Sequence, residues 1–292
     1  MYKREIGEII ATIRRQFDPE ESEILANFDS YAAEAAFAFV LFESSLEQLD
    51  GESKILEIGA GMMLLSVILA NRGYKVTALE PIGPGFSHFD KMQELVLGWA
   101  EENRCSPEIL RCSAEELTAG PKYELVISSN VMEHVRNVEL VIKASESVLT
   151  DRGSVHFVCP NYSFPYEPHF HMVTLFTKRL TGRLRRKTLE TSSLPDASGI
   201  WESLNWITLR SVSKICVELG FKPHFRRSAF LHYLERALKD KSFQARKGGL
   251  IVSLIRFCHQ LGILKLIVNI TPLFIVPVID CQIKKKIDQQ KT

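Results

Sequence analysis

Neither a paired cysteine motif nor a long uninterrupted apolar segment is present in this 292-residue sequence. Its six cysteines are scattered and form no C-x-x-C pair, which argues against a zinc site and a disulfide framework. Isolated thiols are typical of a reducing compartment, so we predict a cytoplasmic location. The stretch MYKREIGEIIATIRRQF alternates charged and apolar residues and predicts an amphipathic helix rather than a signal peptide.

The most apolar part of the chain, residues 250–279, is too interrupted to predict a membrane-spanning helix. Arg256, His259, Lys265 and two prolines break the run, whereas a span needs about 20 apolar residues with few charges. A cluster of three lysines at 284–286 follows. We therefore predict a peripheral position on the inner face of a membrane. The alternative is that these helices pack on the core of the protein itself.

Positive charge is scarce in the first half of the chain. Residues 1–150 contain 13 Lys and Arg against 25 Asp and Glu, a net charge of −12. The rest contains 23 against 10, a net charge of +13. Either the two halves attract each other, or the second half meets an anionic partner.

A basic run lies in the second half, with six Lys and Arg among the ten residues 178–187. It predicts contact with an anionic group of an acceptor or with acidic lipid. No aromatic residues interleave the run, so nucleic acid is not predicted as a partner. The sequence indicates no protein partner.

Apolar runs of strand length alternate with helix-length segments from Lys54 onward. Such alternation indicates an α/β fold with a mostly parallel sheet covered by helices on both faces. We predict a helical N-terminal cover (1–50), a core (51–228) with an inserted cap (161–205), and a C-terminal helical appendage with a last strand (229–292). The predicted strands are 54–58, 75–80, 108–112, 123–128, 154–159, 221–227 and 273–281, and the helices between the first five are 61–72, 88–103 and 137–149.

The glycine turn after the first predicted strand lacks a third glycine. Gly59 and Gly61 are followed by Leu64 where a dinucleotide fingerprint needs glycine, so NAD is not predicted. The G-K-[ST] of a phosphate-binding loop is also missing. Glu57 near the turn and Glu80 at the end of the second strand fit a nucleoside with a positively charged tail, because a strand-end acid can bind both ribose hydroxyls.

Four stretches in order, ILEIGAG (55–61), VTALEP (76–81), CSAEEL (112–117) and YELVISSNVMEHV (123–135), carry a family resemblance. Over residues 52–162 the chain resembles the class I S-adenosylmethionine-dependent methyltransferases, especially the branch with ubiquinone-type and sugar or lipid methyltransferases. The resemblance implies a Rossmann-like seven-stranded sheet and S-adenosylmethionine as cofactor.

The same resemblance implies roles for single residues. Glu57, Gly59 and Gly61 would line the methionine part of the cofactor, and Glu80 would hold the ribose. Ser113 and Ala114 would border the adenine, and Ser129 and Asn130 would lie beneath the sulfonium. The family often has a third glycine where this chain has Met63, and an acid where it has Ser113.

Two histidines are candidates for the chemistry, because imidazole titrates near neutral pH and can take a proton from a hydroxyl. His169 lies in a Pro- and aromatic-rich loop after the fifth strand and is our first choice for a base. His134 follows the fourth strand, where the alternative is that Glu133 and His134 simply open the next helix. Some relatives bind a divalent metal through E-x-x-E-H there, but Asn130 replaces the first acid, so no metal site is predicted.

We predict O-methylation of a small-molecule, sugar or lipid-linked acceptor. N- or C-methylation is an alternative within enzymes. A catalytically silent cofactor-binding regulatory or scaffold protein is the alternative from another class.

Overall fold

The computed structural model describes residues 2–18, 20–81, 89–118, 120–192, 194, 196–240, 243–244 and 249–284. Within them, seven strands form one sheet in the order β3-β2-β1-β4-β5-β9-β8. These strands are β1 (Lys54–Ile58), β2 (Lys75–Leu79), β3 (Glu108–Leu110), β4 (Tyr123–Ser129), β5 (Leu149–Pro160), β8 (Pro223–Phe225) and β9 (Val278–Lys284). A separate hairpin pairs β6 (Tyr166–Glu167) with β7 (Met172–Val173). This is the predicted Rossmann-like α/β fold with a mostly parallel sheet.

The helices alternate with the strands as the sequence predicts. They are α1 (Tyr2–Arg14), α2 (Ser22–Leu46), α3 (Leu64–Asn71), α4 (Asp90–Glu102), α5 (Val138–Ser147), α6 (Lys178–Leu184), α7 (Arg186–Glu190), α8 (Ala197–Ser203), α9 (Leu209–Glu218), α10 (Ser228–Lys239), α11 (Gly249–Gln260) and α12 (Leu264–Ile270). Short 3-10 turns lie at Ala114–Glu116 and Leu273–Ile275.

The chain divides into two compact units. The first unit comprises Met1–Ser129, Leu140–His156 and Lys284–Thr292. The second unit comprises Asn130–Glu139 and Phe157–Ile283. The predicted domain boundaries at residues 50 and 228 stay predictions.

In the first unit, β1 is the centre of three parallel strands. Ile55 lies opposite Val76 of β2 and Leu125 of β4, and all of these side chains are buried. Continuous apolar strands are expected where helices cover both faces of a sheet. At the N-terminus, α1 buries Ile6, Ile9 and Ile13 at helical spacing and contacts α2 and α4.

In the second unit, the last strand begins later than the sequence indicates. The prediction covered residues 273–281, but Leu273–Ile275 form a 3-10 turn and β9 runs from Val278 to Lys284. Pro277 therefore lies before the strand. A proline inside the ladder would leave one hydrogen bond unmade. β9 pairs antiparallel with β8.

Length and composition would allow two parts of the described chain to cross a membrane. One is α2, and the other is the pair Ile251–Gln260 and Leu264–Ile270 taken together, which is bent by 108° at its break. Core helices of soluble proteins pass the same test, so this finding alone does not assign a membrane segment.

Candidate functional site

A turn follows β1 and contains both glycines of the predicted cofactor site. Gly59 (φ 76°) and Gly61 (φ 53°) are both left-handed, a conformation that glycine adopts without steric cost. The backbone N–H groups of Gly59 and Ala60 donate to the Leu79 carbonyl at 2.8 and 3.1 Å. The turn is therefore fixed against the end of β2.

Glu80 is brought to this turn. The Gly61 N–H donates to Glu80 Oε2 at 2.7 Å, and the Gly61 carbonyl accepts from Gln93 Nε2 at 2.5 Å. Arg111 Nη2 donates to Gln93 Oε1 at 2.9 Å. Burial raises the pKa of Glu80, while the Gly61 N–H and the Arg111 charge oppose that rise. Two parts of the predicted cofactor site, the glycine turn and the strand-end acid, thus lie together.

Glu57 lies beneath the turn in a buried position. Its Oε2 accepts from Ser66 Oγ at 2.5 Å, and only 6% of the residue is exposed. Burial raises the pKa of Glu57 to about 7, and the Ser66 hydrogen bond opposes that rise. Glu57 therefore binds a side chain of α3 in this structure. Its contact with the methionine part of the cofactor stays a prediction.

Ser113 is occupied within its own turn. Its backbone N–H and its hydroxyl both donate to Glu116 Oε2 at 2.9 Å. Buried Ala114 opens the following 3-10 turn.

Near the glycine turn, a Cβ on Gly61 would lie 3.6 Å from the ring of Phe89, on which Tyr31 packs with 4.9 Å between ring centroids. These two aromatic rings were not identified from the sequence.

Asn130, which follows the β4 residue Ser129, has a left-handed backbone with φ 55°. Its N–H donates to the Val158 carbonyl at 2.8 Å. Outside glycine, asparagine is among the residues that tolerate this conformation best. Asn130, which is predicted to lie beneath the sulfonium, thus has a strained backbone. Such strain is often found at functional sites.

The second unit brings both candidate histidines together. Nε2 of His134 lies 3.3 Å from Nε2 of His169. His169 Nδ1 lies 2.6 Å from Glu167 Oε1, and His134 Nδ1 lies 2.7 Å from Ser203 Oγ. We call Glu133, His134, Glu167 and His169 the histidine cluster.

Hydrogen-bond partners fix the tautomers within the histidine cluster. A carboxylate can only accept, so His169 Nδ1 carries the proton that faces Glu167. Ser203 Oγ donates to the Ile200 carbonyl at 2.8 Å, and it therefore accepts from His134 Nδ1. Both Nε2 atoms are then left as acceptors facing each other. Two acceptors at this distance repel each other unless a proton or a cation lies between them.

Glu133 completes the histidine cluster. It is fully buried, and neither of its carboxylate oxygens has a hydrogen-bond partner within the described structure. Ligand atoms of Glu133, His134 and His169 all lie within 4.8 Å of one another. Two imidazoles and a carboxylate suit a divalent transition metal, so these three residues could hold one. His169 supplies a ligand that the incomplete motif at 130–134 does not reveal.

The electrostatics of the histidine cluster follow from burial and pairing. Burial raises the pKa of Glu133 to about 7, which the His169 charge opposes. Burial and then His169 lower the pKa of His134 to about 4. Burial alone would lower the pKa of His169, but the hydrogen bond and charge of Glu167 raise it overall. Burial would likewise raise the pKa of Glu167, yet its bonds with His169 lower it.

Aromatic rings line the surroundings of the histidine cluster. Tyr162 stacks on Trp206 with 4.4 Å between centroids, and Trp201 lies edge-on to Trp206 at 5.8 Å. Tyr162 also donates to Glu167 Oε1 at 3.2 Å. The indole N–H of Trp206 is buried and has no partner within the described structure. The sequence predicts aromatic walls in this loop, but Glu167 and Trp206 were missed.

Lys178, the first residue of the basic run, has a structural role. Its Nζ donates to the carbonyls of Glu202 and Leu204 at 2.9 and 2.6 Å. Burial lowers the pKa of Lys178, which Glu202 opposes. By contrast, Arg179, Arg183 and Lys187 are exposed.

Comparisons with known proteins identify a family and several relatives. Residues 28–224 match the family described as a methyltransferase domain. An uncharacterized protein of Mycobacterium tuberculosis (strain H37Rv) is 37% identical over 279 residues, covering 95% of this chain and 94% of that protein. The ubiquinone biosynthesis O-methyltransferase of Rickettsia canadensis is 33% identical over 89 residues, which cover only 30% of this chain and 35% of that enzyme.

Solved methyltransferases also align along much of the chain. The plantazolicin methyltransferase BpumL in complex with SAH has a TM-score of 0.49 at 11% identity, covering 98% of this chain and 100% of that chain. The phosphoethanolamine N-methyltransferase 2 of Haemonchus contortus has a TM-score of 0.47 at 13% identity, covering 85% and 55%.

Proposed function

This chain belongs to the methyltransferase domain family and is a class I S-adenosylmethionine-dependent methyltransferase, and from that premise we propose that it methylates an oxygen of its acceptor. The acceptor is a small molecule, a sugar or a lipid-linked compound. The observation that carries the proposal is the Glu167–His169 pair among aromatic rings. Such a pair suits the deprotonation of a hydroxyl.

We assign cofactor binding to the residues that the family resemblance implies. Glu80 would accept both ribose hydroxyls, and Gly59 and Gly61 would admit the methionine part close to the backbone. Glu57 would add negative charge beneath that part. Ser113 and Ala114 would border the adenine, and Ser129 and Asn130 would lie beneath the sulfonium.

Activation of the acceptor is assigned to the histidine cluster. Bound S-adenosylmethionine would supply its methyl group to the acceptor oxygen and, as its carbon–sulfur bond breaks, would become neutral S-adenosylhomocysteine. The hydroxyl proton passes to Nε2 of His169, whose ring Glu167 holds in the required tautomer. Glu167 also stabilises the imidazolium that forms. His134 would share the proton with His169 through their facing Nε2 atoms.

One observation favours a second candidate chemistry for the same residues. Neither carboxylate oxygen of buried Glu133 has a hydrogen-bond partner among the described residues, and both histidines have their Nδ1 atoms held by outer partners, as metal-ligating histidines usually do. Bound by Glu133, His134 and His169, a divalent cation would lower the pKa of an acceptor hydroxyl. The incomplete sequence motif predicted no metal here.

Chelation separates the two chemistries. The protein is treated with a chelator, and methyl transfer is then measured with and without added Mg²⁺, Mn²⁺ or Zn²⁺. Full activity after chelation supports the histidine base. Activity that is lost and then restored by one of these ions supports the cation. Calorimetry with S-adenosylhomocysteine on both preparations shows whether cofactor binding is intact.

Acceptor discovery tests the function itself. The purified protein is incubated with S-adenosylmethionine carrying a labelled methyl group and with metabolite and lipid fractions of a cell extract. Mass spectrometry finds the labelled product, and NMR of its methyl carbon identifies the atom that bears it. A methyl group on nitrogen or carbon would overturn O-methylation. Cofactor binding with no labelled product in any fraction would favour the catalytically silent alternative.

We further propose that the protein is cytoplasmic and peripheral on the inner face of a membrane. Support comes from exposed Arg179, Arg183 and Lys187 next to exposed apolar side chains of the same segment, Phe176 (94% exposed) and Leu184 (65%). Such a segment suits an acceptor with an anionic group and an apolar tail.

A further inference from the structure

The segment from Ile251 to Ile275 exposes an unusual number of large apolar side chains. It contains eight of the fifteen such side chains that are exposed in the described structure. Six of them are between 55% and 69% exposed: Ile251, Leu254 and Phe257 on α11, Leu261 just after it, and Leu266 and Ile270 on α12. Contiguous exposed apolar surface usually marks an interaction site.

Both helices carry apolar residues on two opposite sides. Val252 of α11 and Leu264 and Val268 of α12 are buried, and both helices contact α10. At 100° per residue, most exposed apolar positions of each helix lie about 120–160° around the helix from these buried ones, and Ile251 lies about 100° from Val252. The contact with α10 therefore uses only the inner faces, and the outer faces stay exposed to solvent.

Most polar positions lie along one edge of each helix, and the exposed His259 of α11 is the exception. On α11 this edge is formed by Ser253, Arg256 and Gln260, and on α12 by Lys265 and Asn269, all exposed. Residues 249–279 contain no Asp or Glu. The charged side chains on these two helices, Arg256 and Lys265, are therefore both positive, which complements an anionic surface.

Neither helix alone is long enough to span a bilayer, and the bent pair fits an interfacial position. Helix α11 has 12 residues and α12 has 7, which at 1.5 Å per residue is about 18 and about 10 Å, against about 30 Å for the apolar layer of a bilayer. A bend of 108° separates them. A bent pair of short helices with apolar outer faces and a basic edge can lie in the headgroup region.

We propose that α11 and α12 form a docking surface for anionic lipid, with their apolar outer faces inserted and Arg256 and Lys265 at the headgroups. The inference rests on the peripheral location proposed above. The surface is tied to the loop that carries His169, because Asn161 Nδ2 donates to the carbonyls of Phe274 and Val276 at 3.2 and 2.7 Å. A docked molecule would thus present that loop at a fixed depth to a lipid-linked acceptor.

Vesicle flotation with the full chain tests the proposal without cofactor or acceptor. The vesicles are equal parts phosphatidylcholine and phosphatidylglycerol, with pure phosphatidylcholine in parallel. We expect wild type to float with the anionic vesicles. Leu254→Ser/Phe257→Ser/Leu266→Ser should lower the partition coefficient on the order of tenfold or more, because each change removes apolar surface that would be inserted into the membrane. Arg256→Gln/Lys265→Gln should weaken binding to anionic vesicles only.

A matched control and a second measurement keep the outcomes distinct. Leu140→Ser removes an apolar side chain that is 48% exposed on α5 and should not change flotation. Circular dichroism and a melting curve confirm that the variants fold. Wild type that stays at the bottom of the gradient at low salt overturns the proposal. The proposal is also overturned if neither protein floats and sedimentation shows that wild type is a dimer whereas the triple serine variant is a monomer. Because no turnover is measured, failure here leaves the proposed reaction unaffected.

Discussion

At the residue scale, Met63 takes a backbone conformation that favours glycine. Its φ is 69° and its side chain is fully buried. We expect Met63→Ala and Met63→Gly both to destabilise, by about 2–5 kcal/mol, because a buried side chain is lost. Glycine should nevertheless be the better replacement by about 1 kcal/mol, since alanine keeps the left-handed strain. Urea unfolding measures both.

The control for Met63 lies in the following helix. Val67 is equally buried within α3, where the backbone is helical and alanine should be better than glycine by about 1 kcal/mol. The same order at both sites, with alanine better, would contradict the strain at Met63.

Glu57 predicts a pH dependence of stability. Its pKa of about 7 lies above the ordinary value of 4.5, so the folded state holds a proton that the unfolded state releases. This contribution is complete below about pH 4.5 and is lost as pH rises through 7. Wild type should therefore lose stability from pH 6 to pH 9, and Glu57→Gln should lose less, by on the order of 1–3 kcal/mol. Equal losses in urea unfolding at the two pH values would refute the raised pKa.

Glu80 and Ser113 should differ in their effect on cofactor affinity. Glu80→Ala should weaken S-adenosylhomocysteine binding by about 1.5–3 kcal/mol for each charged hydrogen bond lost. Ser113→Ala should cost much less, because the Ser113 hydroxyl already donates to Glu116. Calorimetry measures both, and NAD should give no heat. Clear NAD binding without S-adenosylhomocysteine binding would reverse the assignment of the ligand.

At the element scale, the sequence predicts the strands best where burial alone determines them. The limits of β1 match the prediction, and those of β2 and β4 differ from it by one residue, because continuous apolar runs between polar ends leave little choice. The start of β9 was wrong by five residues. There the apolar run LFIVPVI continues through a 3-10 turn that periodicity does not distinguish from a strand.

The contacts within the histidine cluster could not be predicted from the sequence, although both histidines were named as candidates. Glu133 and His134 lie more than thirty residues before Glu167 and His169, and no local pattern joins them. The contact depends on loop geometry, which hydrogen bonds of single side chains fix. Asn205 shows this most clearly, because its Nδ2 donates to the carbonyls of Met132 and Val135 at 2.7 and 2.9 Å.

Asn205 therefore allows a test of the turn that carries Glu133 and His134. Asn205→Ala should lower turnover, because the turn loses two hydrogen bonds, and should cost about 1–3 kcal/mol of stability. Asn205→Asp should be at least as damaging, since a carboxylate would face two carbonyl oxygens. Cofactor affinity should stay unchanged in both. Asn103→Ala, which removes a hydrogen bond from an exposed asparagine to the Trp99 carbonyl, is the control. Unchanged turnover in the Asn205 variants would separate this turn from catalysis.

At the scale of the whole molecule, the division of charge and the division into compact units point to separate tasks. The acidic first half contains the glycine turn, Glu57 and Glu80, and the basic second half contains His169, the basic run and the exposed faces of α11 and α12. A cofactor with a positively charged tail is complementary to the acidic half, and an anionic lipid surface is complementary to the basic half. Each ligand should therefore bind to a different part of the chain.

Hydrogen exchange with the full chain tests this division. S-adenosylhomocysteine should slow amide exchange at residues 59–66 and 111–117, because binding lowers the population of locally open states there. Anionic vesicles should slow exchange at residues 251–275 and leave the first two segments unchanged. The triple serine variant should lose the vesicle effect and keep the cofactor effect, whereas Glu80→Ala should do the reverse. Vesicles that protect residues 59–66 as strongly as residues 251–275 would show that one surface serves both ligands, against the separation argued from charge.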